Sequence, residues 1–429
     1  MIGLRFAALS LVVPAAGYWL RATSARRLPV AARVAFYAAA GLLTLSTVMF
    51  GMSLLGWEWT VRRILVLPLM ASAATAVLAG REDSPKDQSR GTARLRAAEW
   101  WLLALALLAI GVLVLTIASG AATSFDLLFF WGAKGQRFAL SQGIDLGFLR
   151  DPAHELMHPD YRPLLPFYYA WTMLGGRQLD WWGVVLSTPA LLLLATCAVW
   201  GVASGQRHPH AAGLTALFAC MFSLLFVQNA VGGNAEPMLV FFETIALVSL
   251  TLQESHIVVG ALALAGCALT KVEGTAFVVA LVLALGVVRQ GRRSTRKVLL
   301  LVTVPSLALL AWLVFCRSEG LIDIYRPSAS VVTAASMLSA AKRLAGQASF
   351  GLWYLPWLAP VLLVALGRAR AARVHILAVC VYAAFLLYVY GRSGDPAALV
   401  DWSATRVLLS PLLIAFAGAV AASGEVASG

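Results

Sequence analysis

Residues Ala121–Gly143 read AATSFDLLFFWGAKGQRFALSQG, and His154–Trp171 read HELMHPDYRPLLPFYYAW. Both lie within Ala121–Asp180, the longest stretch of the chain that does not read as membrane-spanning helix. It gathers Asp126, Lys134, His154, His158, Asp160 and Arg162 among many aromatic residues. One part of it decides the fold. Pro163–Gly176, PLLPFYYAWTMLGG, holds two prolines and four aromatic residues in 14 positions. A helix needs roughly 20 residues to cross the hydrocarbon core, so this piece is too short to span and suits a helix lying along the interface.

Outward from that loop the chain is overwhelmingly apolar. Hydrophobic residues make up 60% of the 429, charged residues only 12%, and the mean hydropathy is +0.82. A soluble domain carries roughly 45–50% apolar residues. The class expected is therefore an all-α polytopic membrane protein of about thirteen spans. They are Phe6–Leu20, Val34–Leu55, Ile64–Ala79, Leu102–Ala118, Trp181–Val202, Ala211–Val231, Pro237–Leu252, Ile257–Leu269, Val272–Val288, Val298–Phe315, Phe350–Leu366, Ile376–Tyr390 and Val407–Ala422. The eighth is short and reads as a bent hairpin with the ninth around Thr270–Gly274. The first run continues through Tyr18 and Trp19 into Arg21, Arg26 and Arg27, which fits a retained helix better than a cleaved signal. No polar stretch is long enough for a soluble domain. The organisation expected is N-terminal helices and an inner loop over 1–101, followed by one membrane domain over 102–429 with 121–180 as its first outer loop.

Charge sets the orientation. The net charge of +13 raises nucleic acid as a partner, but the basic residues sit in short clusters between helices, with no basic amphipathic face. Alternating the spans places 18 Lys and Arg against 6 Asp and Glu on one side, and 15 against 14 in the rest of the chain. Short loops rich in Lys and Arg stay cytoplasmic. Were Pro163–Gly176 a true span, the later basic loops would face outward, so the charge rule keeps 121–180 whole and extracytoplasmic. The partner implied is the bilayer. The five cysteines fall in or beside apolar runs and read as small buried hydrophobes.

The candidates for chemistry then fall on outer segments. Asp126 follows the fourth span and precedes Phe129, Phe130 and Trp131, a position suited to a general base in a partly dry site. It also precedes an apparent helix, LLFFWGAKGQRFAL, where Asp favours the N-cap. Glu236 precedes Pro237 at the start of the seventh span, where an acid also suits the positive end of the helix dipole. Glu243 lies seven residues on, on the same helical face. Lys271 and Glu273 interrupt an apolar stretch and are placed to pair with one another. Lys271 and Arg406 are also where a lipid phosphate would lie. His154 and His158 are spaced i, i+4, but Pro159 follows and no third ligand is evident, so no metal is assigned there. The run VVTAASMLSAAKRLAGQ, residues 331–347, has helical periodicity with Lys342 and Arg343 on a polar side.

Taken in order, the motifs D-x-x-x-F-W-x-x-K from Asp126 to Lys134, HPDYRPLLP from His158, NAEP from Asn234, LTKVEG from Leu269 and SATRVLLSP from Ser403 resemble the GT-C superfamily of polyprenyl-phosphate-sugar-dependent glycosyltransferases. The likeness is nearest the bacterial branch with protein mannosyltransferase-like and lipopolysaccharide-core galacturonosyltransferase-like members. It covers Leu102 to Pro411, and the first three helices resemble an addition ahead of it. The resemblance implies that Asp126 is the base that activates an acceptor hydroxyl and Glu236 the acid of the second outer loop, where relatives commonly carry Asp. It implies that Lys271 and Arg406 hold the donor phosphate. His158 and Tyr161 match a His-x-x-Tyr-Pro-Pro pattern in which Arg162 replaces the first proline, and with Lys134 they are expected to bind substrate. The expected activity moves a sugar from a polyprenyl-phosphate donor to a glycan, lipid or protein acceptor, with inversion, in the bacterial inner membrane and on its extracytoplasmic face. A divalent metal assists some members; no Asp-x-Asp pair is present to assign one. The alternatives are an O-antigen ligase-like or polymerase-like enzyme using a loop Arg and His, and a lipid or solute transporter centred on Glu243.

Overall fold

The structure is a computed structural model that describes residues 2–23, 28–82, 96–174, 181–206, 208–252, 256–288, 292–321, 332–349, 372–393 and 395–424. The expected eleventh span, Phe350–Leu366, and the loop residues Asp323 and Arg326 lie outside the described residues. The described residues are helical throughout, with one isolated bridge and no strand. Among the described residues, seven helices are long and apolar enough to cross a membrane, or eight if the pair Pro396–Val407 and Leu409–Ser423, bent by 43°, makes one span. The expected thirteen are not confirmed among the described residues. Several of the apolar runs form helices that are short or broken. The first is a 15-residue helix, Ile2–Ala16, carrying Pro14. The seventh is a 12-residue helix, Glu236–Leu247, that loosens into a π turn at Val248–Leu252. The eighth and ninth are Ile257–Thr270 and Val272–Val288, broken at Lys271.

The chain divides into two compact units. The first comprises Met1–Phe148 and Pro163–Gly266. It contains α1 (Ile2–Ala16), α2 (Val30–Leu54), α3 (Val61–Glu82), α4 (Ala97–Ala118), α5 (Gly132–Ser141), α7 (Leu164–Met173), α8 (Trp181–Gly205), α9 (Ala211–Gln228) and α10 (Glu236–Leu247), with the short α6 (Leu146–Arg150) at its edge. Every residue of α10 is buried, Glu236 and Glu243 included. By contrast α4 buries only the stripe Ala106, Ile110, Leu113 and Ile117. Its other faces are apolar and exposed, the pattern of a helix in lipid. α4 packs along α9, and both end at the same level, where the chain after each one meets the other.

The second unit comprises Leu149–Arg162 and Cys267–Gly429. It holds the end of α11 (Ile257–Thr270), α12 (Val272–Val288), α13 (Arg292–Ser318), α14 (Ala334–Ser349) and three further helices, Arg373–Gly391, Pro396–Val407 and Leu409–Gly424. The expected amphipathic helix near residues 331–347 is α14. Its Arg343 grips Asp401 on Pro396–Val407 with both nitrogens, Nε to Oδ1 at 2.6 Å and Nη2 to Oδ2 at 2.5 Å. Gln347 adds a third bond to Asp401 at 3.0 Å. Within the same unit Arg150 pairs with Glu319, and its Nε donates to the Glu319 carbonyl at 2.9 Å.

The PLLPFYYAW stretch corrects one expectation. It does not cross, because α7 has only 10 residues, but neither does it lie on a surface, because all ten are buried. Its aromatic side chains find protein rather than lipid. Phe167 meets Trp59 edge-on at 5.3 Å, and Trp59 in turn meets Phe138 of α5 at 6.2 Å. Polar handles are satisfied as well: Trp171 Nε1 donates to the Leu9 carbonyl at 3.2 Å and Trp59 Nε1 to the Met49 carbonyl at 2.8 Å. Trp59, fully buried in the turn between α2 and α3, thus pins the loop helices to the N-terminal bundle. Trp59→Ala should lower stability by about 3–5 kcal/mol, the usual cost of emptying so large a buried site. Thermal unfolding of the detergent-purified protein measures it, and a cost under about 1 kcal/mol would contradict this role.

Candidate functional site

In the first unit the site is built where two helices end. After α4, Gly120 (φ +83) turns the chain, and after α9, Ala230 (φ +45) and Gly233 (φ +81) do the same. The two released segments then pair as a parallel bridge between Thr123 and Gly232. Gly232 N donates to the Ala122 carbonyl, and Ser124 N to the Gly232 carbonyl, each at 2.8 Å. Gly233 needs its glycine twice over. Its φ is one that side chains rarely adopt, and a Cβ there would stand 2.7 Å from the Leu127 side chain. Tyr169 of α7 secures the same turn, its hydroxyl donating to the Gly233 carbonyl at 2.8 Å. Burial pushes the phenol of Tyr169 far above its ordinary value and that of its neighbour Tyr168 up to about 12, so Tyr169 remains a neutral donor at any working pH.

This backbone clamp sets Asp126 opposite Asn234. Asn234 Nδ2 donates to Asp126 Oδ2 at 3.2 Å, while its Oδ1 accepts from Trp131 Nε1 at 2.8 Å and from Ala235 N at 2.7 Å. The amide is buried and uses both ends. Trp131 reaches it because Leu127–Trp131 forms a π turn before α5 begins at Gly132. The N-cap reading of Asp126 fails here. Its backbone is already helical (φ −59, ψ −23), and its side chain makes no cap bond. Ser124 does the capping, its Oγ accepting from Asp126 N at 3.1 Å. The Asp126 carboxylate is left half-exposed for other work. Beside it Phe125 and Phe129 stack at 4.1 Å and point outward, a face suited to the membrane interface.

Glu236 opens α10 two residues beyond Asn234 and is buried, as is Glu243 further along the same helix. Lys134 is buried on α5, against the ordinary habit of lysine. The first unit therefore holds the expected base, the second acid and one of the four expected substrate residues.

The second unit holds the other five. Lys271 fills the break between α11 and α12 and pairs with Glu273, Nζ to Oε1 at 3.1 Å, with both side chains largely buried. Tyr390, on Arg373–Gly391, lies within electrostatic reach of Lys271, Glu273 and Arg406 together. Its hydroxyl shares a hydrogen bond with Ser403 Oγ at 2.8 Å, three residues before Arg406. Arg162 joins the same neighbourhood through the charges of Asp160 and Glu273. Burial pulls the Arg162 guanidinium below its ordinary value while Asp160 opposes the shift; an arginine so placed is still charged near neutrality. Its buried Nε meets no acceptor among the described residues. Lys271 and Arg406 thus both lie within electrostatic reach of Tyr390, and Arg162 lies within reach of Glu273.

His158 stands in left-handed backbone (φ +51) just before Pro159, and its carbonyl accepts from Tyr161 N at 3.0 Å, closing a turn. The His158 and Tyr161 rings lie 5.1 Å apart. Non-glycine residues with positive φ cluster at functional sites. His154 sits instead in a 3-10 turn, Pro152–Met157, with its Nδ1 3.7 Å from Asp151. Among the described residues no group of three His, Cys, Asp or Glu side chains is arranged to hold a metal ion. They do not fit the divalent metal of some GT-C members, so no step is routed through one.

Two participants were not singled out from the sequence. Asn234 was visible only as the first letter of NAEP; its partners lie 103 and 108 residues away. Tyr390 carried no signal, being one aromatic in an apolar helix. No protein-family model, no curated protein and no solved structure matches this chain. Asn234→Leu, of similar size, removes three hydrogen bonds from a buried position and should cost about 1–3 kcal/mol. An unchanged midpoint of thermal unfolding would show that the Asn234 network does not hold the two segments together.

Proposed function

We propose that this chain is an integral membrane glycosyltransferase of GT-C type. It moves a sugar from a polyprenyl-phosphate donor to the hydroxyl of a glycan, lipid or protein acceptor on the extracytoplasmic face. The observation that carries the reading is the Asp126 carboxylate, half-exposed between membrane helices, released from capping and held by the Asn234 amide. A base oriented by a hydrogen bond and walled by aromatic residues is what activation of a hydroxyl requires. Within the second unit, Lys271 and Arg406 lie within electrostatic reach of one tyrosine, and positive charge of that kind is what a departing phosphate needs.

In this mechanism the acceptor oxygen forms its bond to the anomeric carbon while the bond from that carbon to the phosphate oxygen breaks. The electron pair leaves with the polyprenyl phosphate, whose charge Lys271, Arg406 and Arg162 neutralise. The hydroxyl proton passes to Asp126. A single displacement inverts the anomeric carbon. Glu236, buried at the start of α10 two residues from Asn234, supports the acidic side of the site. Lys134, His158 and Tyr161 bind the sugar and acceptor.

One observation favours a second reading. Glu243 is fully buried in α10, and an ionisable group inside a membrane protein is a hallmark of ion or substrate pathways. That reading is a lipid or solute transporter. The two part on one pair of variants. Asp126→Asn should reduce sugar transfer by about 10²–10⁴-fold with expression and donor binding retained, since this is what a general base contributes. Glu243→Gln should leave transfer within a few-fold of wild type. Full activity in the Asp126 variant would sink the base assignment, and movement of lipid or solute across vesicle membranes that Glu243→Gln abolishes, without sugar transfer by wild type, would favour the transporter.

A further inference from the structure

A second feature lies in the first unit, mainly among the three helices that precede the glycosyltransferase-like region, and does not depend on the reading just given. α1 and α2 cross closely: a Cβ on Gly17 would fall 1.9 Å from the Tyr37 carbonyl oxygen, and one on Gly41 1.8 Å from that of Val13. That crossing lays the 3-10 turn Tyr18–Ala22 along one stripe of α2. Arg33, Tyr37, Ala40, Thr44 and Thr47 recur at intervals of four, three, four and three residues, so they share one helical face.

The stripe changes character along its length. At its first-turn end it is cationic. The Tyr18 ring packs on Tyr37 at 5.5 Å, Arg21 bonds the Tyr18 hydroxyl with its guanidinium 5.6 Å from that ring, and Tyr37 lies within electrostatic reach of both Arg33 and Arg21. No acidic side chain among the described residues pairs with Arg21 or Arg33, and the buried Nε of Arg33 meets no acceptor there. Farther along the stripe is an apolar cavity of about 380 Å³ between α2, α3 and α11. Its walls include Leu43, Val48, Leu67 and Leu262. Trp19 closes it, Nε1 donating to Thr44 Oγ1 at 3.1 Å while its backbone N donates to Ser72 Oγ at 3.2 Å. On the α3 side the wall is lipid-facing: Leu67, Leu69 and Met70 are exposed, and Pro68 interrupts the hydrogen-bond ladder beside the cavity.

We propose that this is a binding site for one anionic glycerophospholipid, with its phosphate on Arg33 and Arg21 and an acyl chain in the cavity. The depths agree. At 1.5 Å per residue the lining positions Ala40 to Val48 lie about 10–22 Å along α2 from Arg33, against a half-thickness of about 15 Å for the hydrocarbon core. A chain anchored by a phosphate at Arg33 reaches the cavity. Charge complementarity selects the headgroup, because two arginines without a carboxylate need an anion, and guanidinium suits phosphate oxygens. The apolar wall selects a lipid over a soluble anion.

The test uses the full chain, purified in detergent and stripped of lipid, with bound lipid counted by native mass spectrometry. Wild type should retain about one phosphatidylglycerol and not phosphatidylcholine with the same chains, one site being all that the stripe and cavity provide. The double variant Arg21→Gln, Arg33→Gln should weaken retention at least tenfold, and Arg33→Lys should largely keep it. Ala71→Phe adds bulk at the cavity wall and leaves both arginines in place, so it should weaken retention similarly. If the double variant does not fold, Ala71→Phe decides alone. Undiminished retention in that variant, equal retention of phosphatidylcholine, or displacement of phosphatidylglycerol by one equivalent of polyprenyl phosphate would each overturn the assignment.

Discussion

The candidate active site depends on a pairing of backbone, two hydrogen bonds of 2.8 Å that tie Gly232 to Ala122 and Ser124. Irregular chain near a bilayer is tolerable only when its amide and carbonyl groups are satisfied within protein. Here each of two helix-to-loop exits supplies what the other lacks. The exits are fixed side by side because α4 and α9 pack along one another and end together. Asn234 then extends the clamp from backbone to side chains, joining Trp131, Ala235 and the Asp126 carboxylate through one buried amide. A carboxylate on a free loop would sample many positions. This one has few.

The charged candidate residues differ in sign between the two units. The first carries Asp126, Glu236 and Glu243, with Lys134 buried among the loop helices. The second carries Lys271, Arg406 and Arg162, with Glu273 paired to Lys271. The Lys271–Glu273 pair neutralises the one cation of the three that is buried, which limits the cost of burying it.

Much of the helical framework was legible in the sequence because composition and periodicity are local properties. Long apolar runs such as Ala97–Ala118 and Ala211–Gln228 fold as helices of membrane length, and the amphipathic α14 falls where its pattern put it. Local reading failed where packing decides. α7 has the length and aromatic content of an interfacial helix, but Trp59, Phe138 and Gly233 give its rings and hydroxyl a protein environment. Asp126 has the look of a helix cap, but Ser124 takes that role two residues earlier. The thirteen spans are not all confirmed, because several apolar runs fold as helices shorter than a membrane span, such as Glu236–Leu247 and Ile257–Thr270. Asn234 was missed for the opposite reason: its importance lies wholly in partners more than a hundred residues away.

The most direct test of the account is sugar transfer itself. Membranes containing the chain, and matched membranes without it, would be incubated with a panel of radiolabelled polyprenyl-phosphate sugars, and label would be followed from the lipid-soluble donor into acceptor. The account predicts transfer of at least one sugar that depends on the chain, with the product bearing the opposite anomeric configuration to its donor. Transfer with retained configuration, or no chain-dependent transfer from any donor of the panel, would contradict it.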